Sequence, residues 1–265
     1  GSRSAAAAER FADTWGIPNR HVGVTALAED PDVDVVYIAT PHSAHHAGTL
    51  ACLAAGKHVL CEKPLAMNAR QVTEMIGAAR SHGRFLMEAM WTRFAPASRK
   101  ISDLLAAGAI GELRMLIANF GNAVPYDPAS RLWNPELGGG ALLDLGVYPI
   151  ALASHFLGDL TVVGVSGRLD PQGKVDAQST VLVENRDGVT GLLACSLERR
   201  SPTGSPSSAP AAGSKWSAGG APPTSSSTGT AANRKRTPSR TAPTGMSMRL
   251  RKWLVASPQA SRRVR

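Results

Sequence analysis

The chain has 265 residues, 43% hydrophobic and 5% aromatic, enough to bury one large core or two small ones. Its net charge of +9 is unevenly spread, because all 20 acidic groups and 16 of the 29 Lys and Arg residues precede residue 199. That excludes reading the total as a nucleic-acid-binding surface, and the absence of an eighteen-residue apolar run argues against a membrane span.

Residues 4–15 form an Ala-rich helical stretch. Residues 33–40 are a short β-branched run of the kind buried in parallel sheets. A helix is expected from about His45 to residue 55, closed by Gly56, and a strand at 57–61. Asn68 caps a helix over 69–81, Gly83 follows its end, and 84–87 is a further strand. This rhythm predicts an α/β fold: a Rossmann-type parallel sheet domain over residues 1–90. From about Met90 the texture changes. A helix at 96–107, a strand at 112–120 and a helix at 141–157 precede three strand-like runs at 161–169, 175–184 and 188–197. Turn signals separate those runs, so 91–198 reads as an α+β domain with an open, mostly antiparallel sheet.

Residues 199–265 hold no Asp or Glu and are dominated by Ser, Thr, Pro, Ala, Gly and Arg. Burial there cannot offset the entropy of ordering, so a disordered tail is expected. GC-rich DNA read in a shifted frame yields such a mixture. Only 234–236 and 249–252 approach the clustered cations of a nucleic-acid arm. Cys52, Cys61 and Cys195 form no CxxC pair and no even framework, as expected of a cytoplasmic protein.

The strongest local signal is HVLCEKPLAMN at 58–68. Glu62 and Lys63 follow a buried strand, at the carboxyl edge where doubly wound sheets bind ligands, and the bond to Pro64 is a candidate cis peptide. With ATPHSAHH at 39–46, MEAMWTRFAP at 87–96, GAIGELRMLIANFG at 108–121 and GGGALLDLGVYPI at 138–150, this set resembles the Gfo/Idh/MocA oxidoreductase family. Within it, the branch acting on dihydrodiols and D-xylose is most similar. The resemblance covers residues 1–198 and departs in one respect: the family's opening strand and GxGxxG turn are not in this sequence, so an N-terminally truncated domain is expected.

The resemblance implies hydride transfer between nicotinamide and a secondary alcohol carbon of a sugar, polyol or dihydrodiol. It implies Lys63, Tyr148 and Asp144 as the catalytic group. A phenol, with a reference pKa near 10, needs a nearby cation to act at neutral pH, and Lys63 would supply it. Asp144, four residues before Tyr148, would orient it or the substrate. Ser2, Arg3, Thr40, Pro41, His45, Glu62, Lys63 and Pro64 are implied as cofactor contacts. Arg3 would favour NADP over NAD by pairing with a 2′-phosphate. His42, Trp91, Arg114 and Phe120 would line the substrate site. No metal is expected, since His42, His45 and His46 have no Cys or acidic residue near them in sequence. A homodimer is implied, with neither membrane nor nucleic acid as partner. Two other readings stay open: an inactive fragment or noncatalytic relative, and a nucleic-acid binder acting through the tail.

Overall fold

The computed structural model describes residues 1–200. The rest of the stretch expected to be a disordered tail lies outside the described residues. Helix α1 (Ala5–Trp15) starts where the Ser4 side chain accepts from the Ala7 N–H. Just before it, Ser2 makes a parallel bridge to Val22. Helix α2 (Gly23–Glu29) follows; at seven residues it is too short for its periodicity to stand out in the sequence.

The first sheet is wholly parallel and runs β1 (Val35–Ile38), β2 (His58–Cys61), β3 (Leu86–Glu88) in that order. Crossover helices α3 (His45–Ala54) and α4 (Ala69–Ser81) connect the strands. Val36, Ile38, Val59 and Cys61 alternate inward and pack on Cys52, Leu53 and Ala79. Burying each larger aliphatic chain in that layer stabilises the domain by roughly 1.5–3 kcal/mol. Asn68 accepts from the Gln71 N–H and starts α4, as its position predicts. The three β-to-α turns therefore gather on one edge of the sheet.

After α5 (Pro96–Ala106) a second sheet forms from β4 (Met115–Gly121), β5 (Thr161–Leu169), β6 (Asp176–Glu184) and β7 (Thr190–Ser196). Its order is β4-β7-β6-β5, with antiparallel β5/β6 and β6/β7 pairs and a parallel β4/β7 pair. Leu116, Ala118, Val183 and Leu193 pack on Leu152, Ala153 and Leu157 of α6 (Val147–Leu157). The helix expected over 141–157 is broken into a π-helical turn, Leu142–Gly146, and α6. Its start is fixed from outside: the Asp176 carboxylate accepts from the Leu142 N–H at 2.8 Å. A Cβ on Gly140, at φ 114°, would stand 2.3 Å from Asp176 Oδ1, so only glycine lets that carboxylate in. The stretch Pro135–Leu157 is long and apolar enough to cross a membrane by composition. Half of its most apolar eighteen-residue window is buried inside the protein, where Leu152, Ala153 and Leu157 of α6 pack on the second sheet.

Candidate active site

Lys63 leaves the end of β2 through a cis bond to Pro64, and its ammonium crosses to the π-helical turn. Nζ donates to the Asp144 carbonyl at 2.7 Å and to its Oδ1 at 3.2 Å. Both side chains are about nine-tenths buried. Arg131, from the loop before the turn, donates to the same Oδ1 at 3.0 Å. Burial pushes the Asp144 carboxyl up, but the Lys63 ammonium and the Arg131 guanidinium outweigh it and hold it below the usual carboxylate range. In a π-turn the backbone donor to the Asp144 carbonyl would lie five residues on, and that residue is Pro149, which has no N–H.

Tyr148 stands one turn beyond Asp144. Its ring meets Phe120 edge-on at 5.2 Å and Trp91 at 6.0 Å, and Trp91 Nε1 donates to its hydroxyl at 3.3 Å. The Lys63 ammonium lies over the ring, 4.9 Å from its centre, while its hydrogen bonds go to Asp144. Asp144 correspondingly grips Lys63 rather than the phenol, because an ammonium is the stronger partner for a carboxylate. Trp91 and Phe120 thus wall Tyr148, on a 3₁₀ turn (Trp91–Phe94) and near the end of β4.

The three histidines separate in role. His42 is buried, with Nδ1 2.8 Å from the Gly138 carbonyl and Nε2 3.9 Å from Asp144 Oδ1. Burial draws its imidazole below the ordinary range, against the Gly138 hydrogen bond and the Asp144 charge. His45 has no exposed surface, and its nitrogens face the Pro64 carbonyl at 2.8 Å and the Thr40 carbonyl at 3.0 Å. His45, expected at the cofactor, thus lies buried between the turn after β1 and the turn after β2. His46 pairs with Glu74 on α4.

The remaining expected residues divide between the edge and elsewhere. Thr40 is exposed and Pro41 half-buried after β1, while Pro64 is buried. Glu62 accepts from the Tyr37 hydroxyl and, at 3.1 Å, from the Lys63 N–H. Burial and then Glu62 raise the Tyr37 phenol. Ser2 and the exposed Arg3 sit between the Val22 bridge and α1. Arg114, expected in the substrate site, stands apart from Tyr148 in the single chain. It precedes β4, pairs with Glu112 on the surface, and lies about 20 Å of strand from Phe120. The arginine that does reach the site, Arg131, was not singled out from the sequence. Its loop has no periodic signal, and only the fold brings it to Asp144.

The chain is similar to known proteins along both sheets. The model described as "Oxidoreductase family, NAD-binding Rossmann fold" matches residues 1–90, and that of the GFO/IDH/MocA C-terminal domain matches 98–217. Trans-1,2-dihydrobenzene-1,2-diol dehydrogenase of Mus musculus is 44% identical over 197 residues, 74% of this chain and 58% of that protein. The enzyme of the same name from Oryctolagus cuniculus is 46% identical over 195 residues, 73% and 58% respectively. Among solved structures, the 3-ketoreductase KijD10 from Actinomadura kijaniata, in complex with NADP and TDP-benzene, is 37% identical. It superposes with TM-score 0.70 over 75% of this chain and 61% of its own. Aldose-aldose oxidoreductase from Caulobacter crescentus, complexed with glycerol, gives TM-score 0.70 at 29% identity, covering 75% and 62%. The chain spans less than two thirds of the length of these relatives. With both domain models matched in order along it, the chain belongs to the Gfo/Idh/MocA oxidoreductase family.

Proposed function

We propose that the chain carries the reaction centre of an NADP-dependent dehydrogenase acting on a secondary alcohol of a sugar, polyol or dihydrodiol. The observation that carries this is the Lys63 ammonium, held by Asp144 against the ring of Tyr148 at the carboxyl edge of a parallel sheet. The named activities and bound NADP of the relatives support it.

The residues present fit the nicotinamide end of the cofactor. Thr40, Pro41, Glu62, Lys63 and Pro64 line adjacent β-to-α turns, and that edge offers an ammonium beside a phenol. Ser2 and Arg3 fit the adenosine ribose end, with an exposed guanidinium for a 2′-phosphate. When bound, nicotinamide supplies the hydride acceptor. The protein handles the proton. Tyr148, as the phenolate, takes it from the substrate hydroxyl and becomes the neutral phenol, with its oxygen accepting from Trp91 Nε1 and its ring held by Phe120. The Lys63 cation over the ring stabilises the phenolate before the proton arrives, and Asp144 fixes that cation in place. Trp91 and Phe120 exclude water from one side.

In this reading residues 1–90 form the dinucleotide domain and 91–198 the substrate domain. A second copy of the chain covers the outer face of the second sheet, where Ile117, Leu192 and Leu182 stand in one cross-strand row and remain exposed. The three buried free thiols suit the reducing cytoplasm. The test is direct: purified protein with NADP is offered D-xylose and trans-dihydrobenzenediol, and nicotinamide reduction is followed by absorbance. No reduction of NADP or NAD with any of a polyol panel would overturn it.

A further inference from the structure

We propose that Arg131 is a positioning residue of the reaction centre: by taking a share of Asp144 Oδ1 it leaves part of the Lys63 charge uncancelled beside Tyr148, and so favours the phenolate that alcohol oxidation requires. This rests on the reading of Tyr148 as the proton carrier.

The charges of the cluster do not balance. Lys63 Nζ donates to Asp144 Oδ1 at 3.2 Å, and Arg131 Nη1 donates to the same oxygen at 3.0 Å. Burial raises the Asp144 carboxyl, but the two cations outweigh it, so the group stays a carboxylate. Lys63 alone would balance that charge. The guanidinium, which keeps its proton at any working pH, adds a second positive charge. Among the described residues no other carboxylate pairs with either cation. Tyr148 is placed to answer the excess, since its ring lies 4.9 Å from Lys63 Nζ.

The other ionisable groups around the turn are engaged elsewhere. His42, 3.9 Å from Asp144 Oδ1, is drawn towards its neutral form by burial, and His45 lies on two backbone carbonyls. Glu62 faces Tyr37 and the Lys63 N–H, and Glu88 accepts from the Leu65 N–H. On β6, Asp176 accepts from the Leu142 N–H and the Ser179 hydroxyl. On β7, burial pushes the Cys195 thiol up to about 12. Further along α6, His155 meets Ser102 at 3.0 Å and is lowered by burial and then by Arg93.

Arg131 is held in place from both sides. The Asn134 and Trp133 N–H groups close back on the Ser130 carbonyl at 2.9 and 3.1 Å, and the Gly140 N–H reaches the Leu132 carbonyl at 2.8 Å. Trp133 is buried, with its indole donating to the Pro125 carbonyl at 3.0 Å. A half-exposed ion pair adds little to stability, so the effect of this arginine falls on the charge of the site rather than on folding.

The test reads the phenol directly. Protein labelled with ¹³Cζ-tyrosine is titrated by NMR from neutrality to about pH 11, and the Tyr148 line is identified by its loss in Tyr148→Phe. In Arg131→Gln the Tyr148 midpoint should rise by about one pH unit, the lower end for a nearby opposite charge, because the guanidinium is half exposed. Arg131→Lys should recover most of that shift. NADP reduction by D-xylose should be slowed about tenfold in Arg131→Gln at neutral pH, the same shift read as ionised fraction, and should recover at alkaline pH. An arginine that only braces the loop would lower turnover equally at every pH and leave the midpoint in place. That result, or Arg131→Lys no better than Arg131→Gln, would overturn this assignment and leave the dehydrogenase reading standing. A raised midpoint in a protein that reduces NADP with no alcohol of the panel would overturn the dehydrogenase reading and leave the charge effect of Arg131 standing.

Discussion

Lys63 and Asp144 meet twice, once through the carbonyl at 2.7 Å and once through the carboxylate at 3.2 Å, across 81 residues of sequence. The contact joins the edge of the parallel sheet to the helix carrying Tyr148. Asp144→Asn keeps the shape and removes the charge, leaving a nearly buried ammonium without its counterion. Stability is expected to fall by about 3 kcal/mol, the lower end for breaking a buried pair. Arg131→Gln, at a half-exposed side chain, should cost less than about 1 kcal/mol. Urea denaturation of the two variants checks the order.

Tyr148→Phe removes the proton carrier and keeps the ring that Phe120 and Trp91 pack against. Turnover is expected to drop by roughly 10²-fold or more, in the range of a lost general acid–base group, with stability changed little. Steady-state NADP reduction measures the first and thermal melting the second. Near-normal turnover would remove Tyr148 from the role.

Acid should loosen the site in a defined direction. Burial raises Asp144, but Lys63 and Arg131 bring it below the usual range, so its stabilisation is complete above about pH 4 and fades as pH falls through its lowered value. Asp170, lowered to about 2 by the Val175 N–H first among its donors, acts in the same sense. Asp176 is opposite. Burial raises it despite its bonds from Ser179 and Leu142, so its contribution is complete below about pH 4 and is lost as pH rises through the raised value. Stability against pH should therefore have a shallower acid limb in Asp144→Asn and Asp170→Asn, and a steeper one in Asp176→Asn.

His45→Ala opens a void and removes the ring whose N–H donates to one of the two carbonyls it lies between, Thr40 and Pro64. The expected cost is about 2–4 kcal/mol. Because both turns border Lys63, kcat/KM should fall although His45 itself has no exposed surface. Calorimetry and kinetics on one preparation would test this; unchanged kcat/KM in the folded variant would confine His45 to packing.

Gly138→Ala must push a Cβ into Met67 and His42 at a positive φ. Destabilisation of about 1–3 kcal/mol is expected. Met67→Ala should relieve part of it, and a double-mutant cycle measures that relief.

The sequence by itself determined the elements and the edge on which the chemistry sits. Val36, Ile38 and Val59 make short buried strands, Asn68 starts a helix by bonding within its own first turn, and Glu62 and Lys63 follow a strand end because the chain places them there. Each rests on neighbours within a few residues, which a single chain displays openly. What converges on that edge was decided by tertiary structure. His42 and His45 lie three residues apart on similar patterns, yet one faces Asp144 and the other is sealed between two carbonyls. Arg114 carries the family-like spacing but ends on the surface, whereas Arg131, in a loop without periodicity, reaches the buried carboxylate. Even the break at Leu142–Gly146 combines a local cause, Pro149, with a remote one, the Asp176 carboxylate on β6. Local hydrogen bonds and side-chain periods are written in adjacent residues. A buried charge or an orphaned acceptor finds its partner only when packing brings distant segments together and removes the water that would otherwise satisfy it.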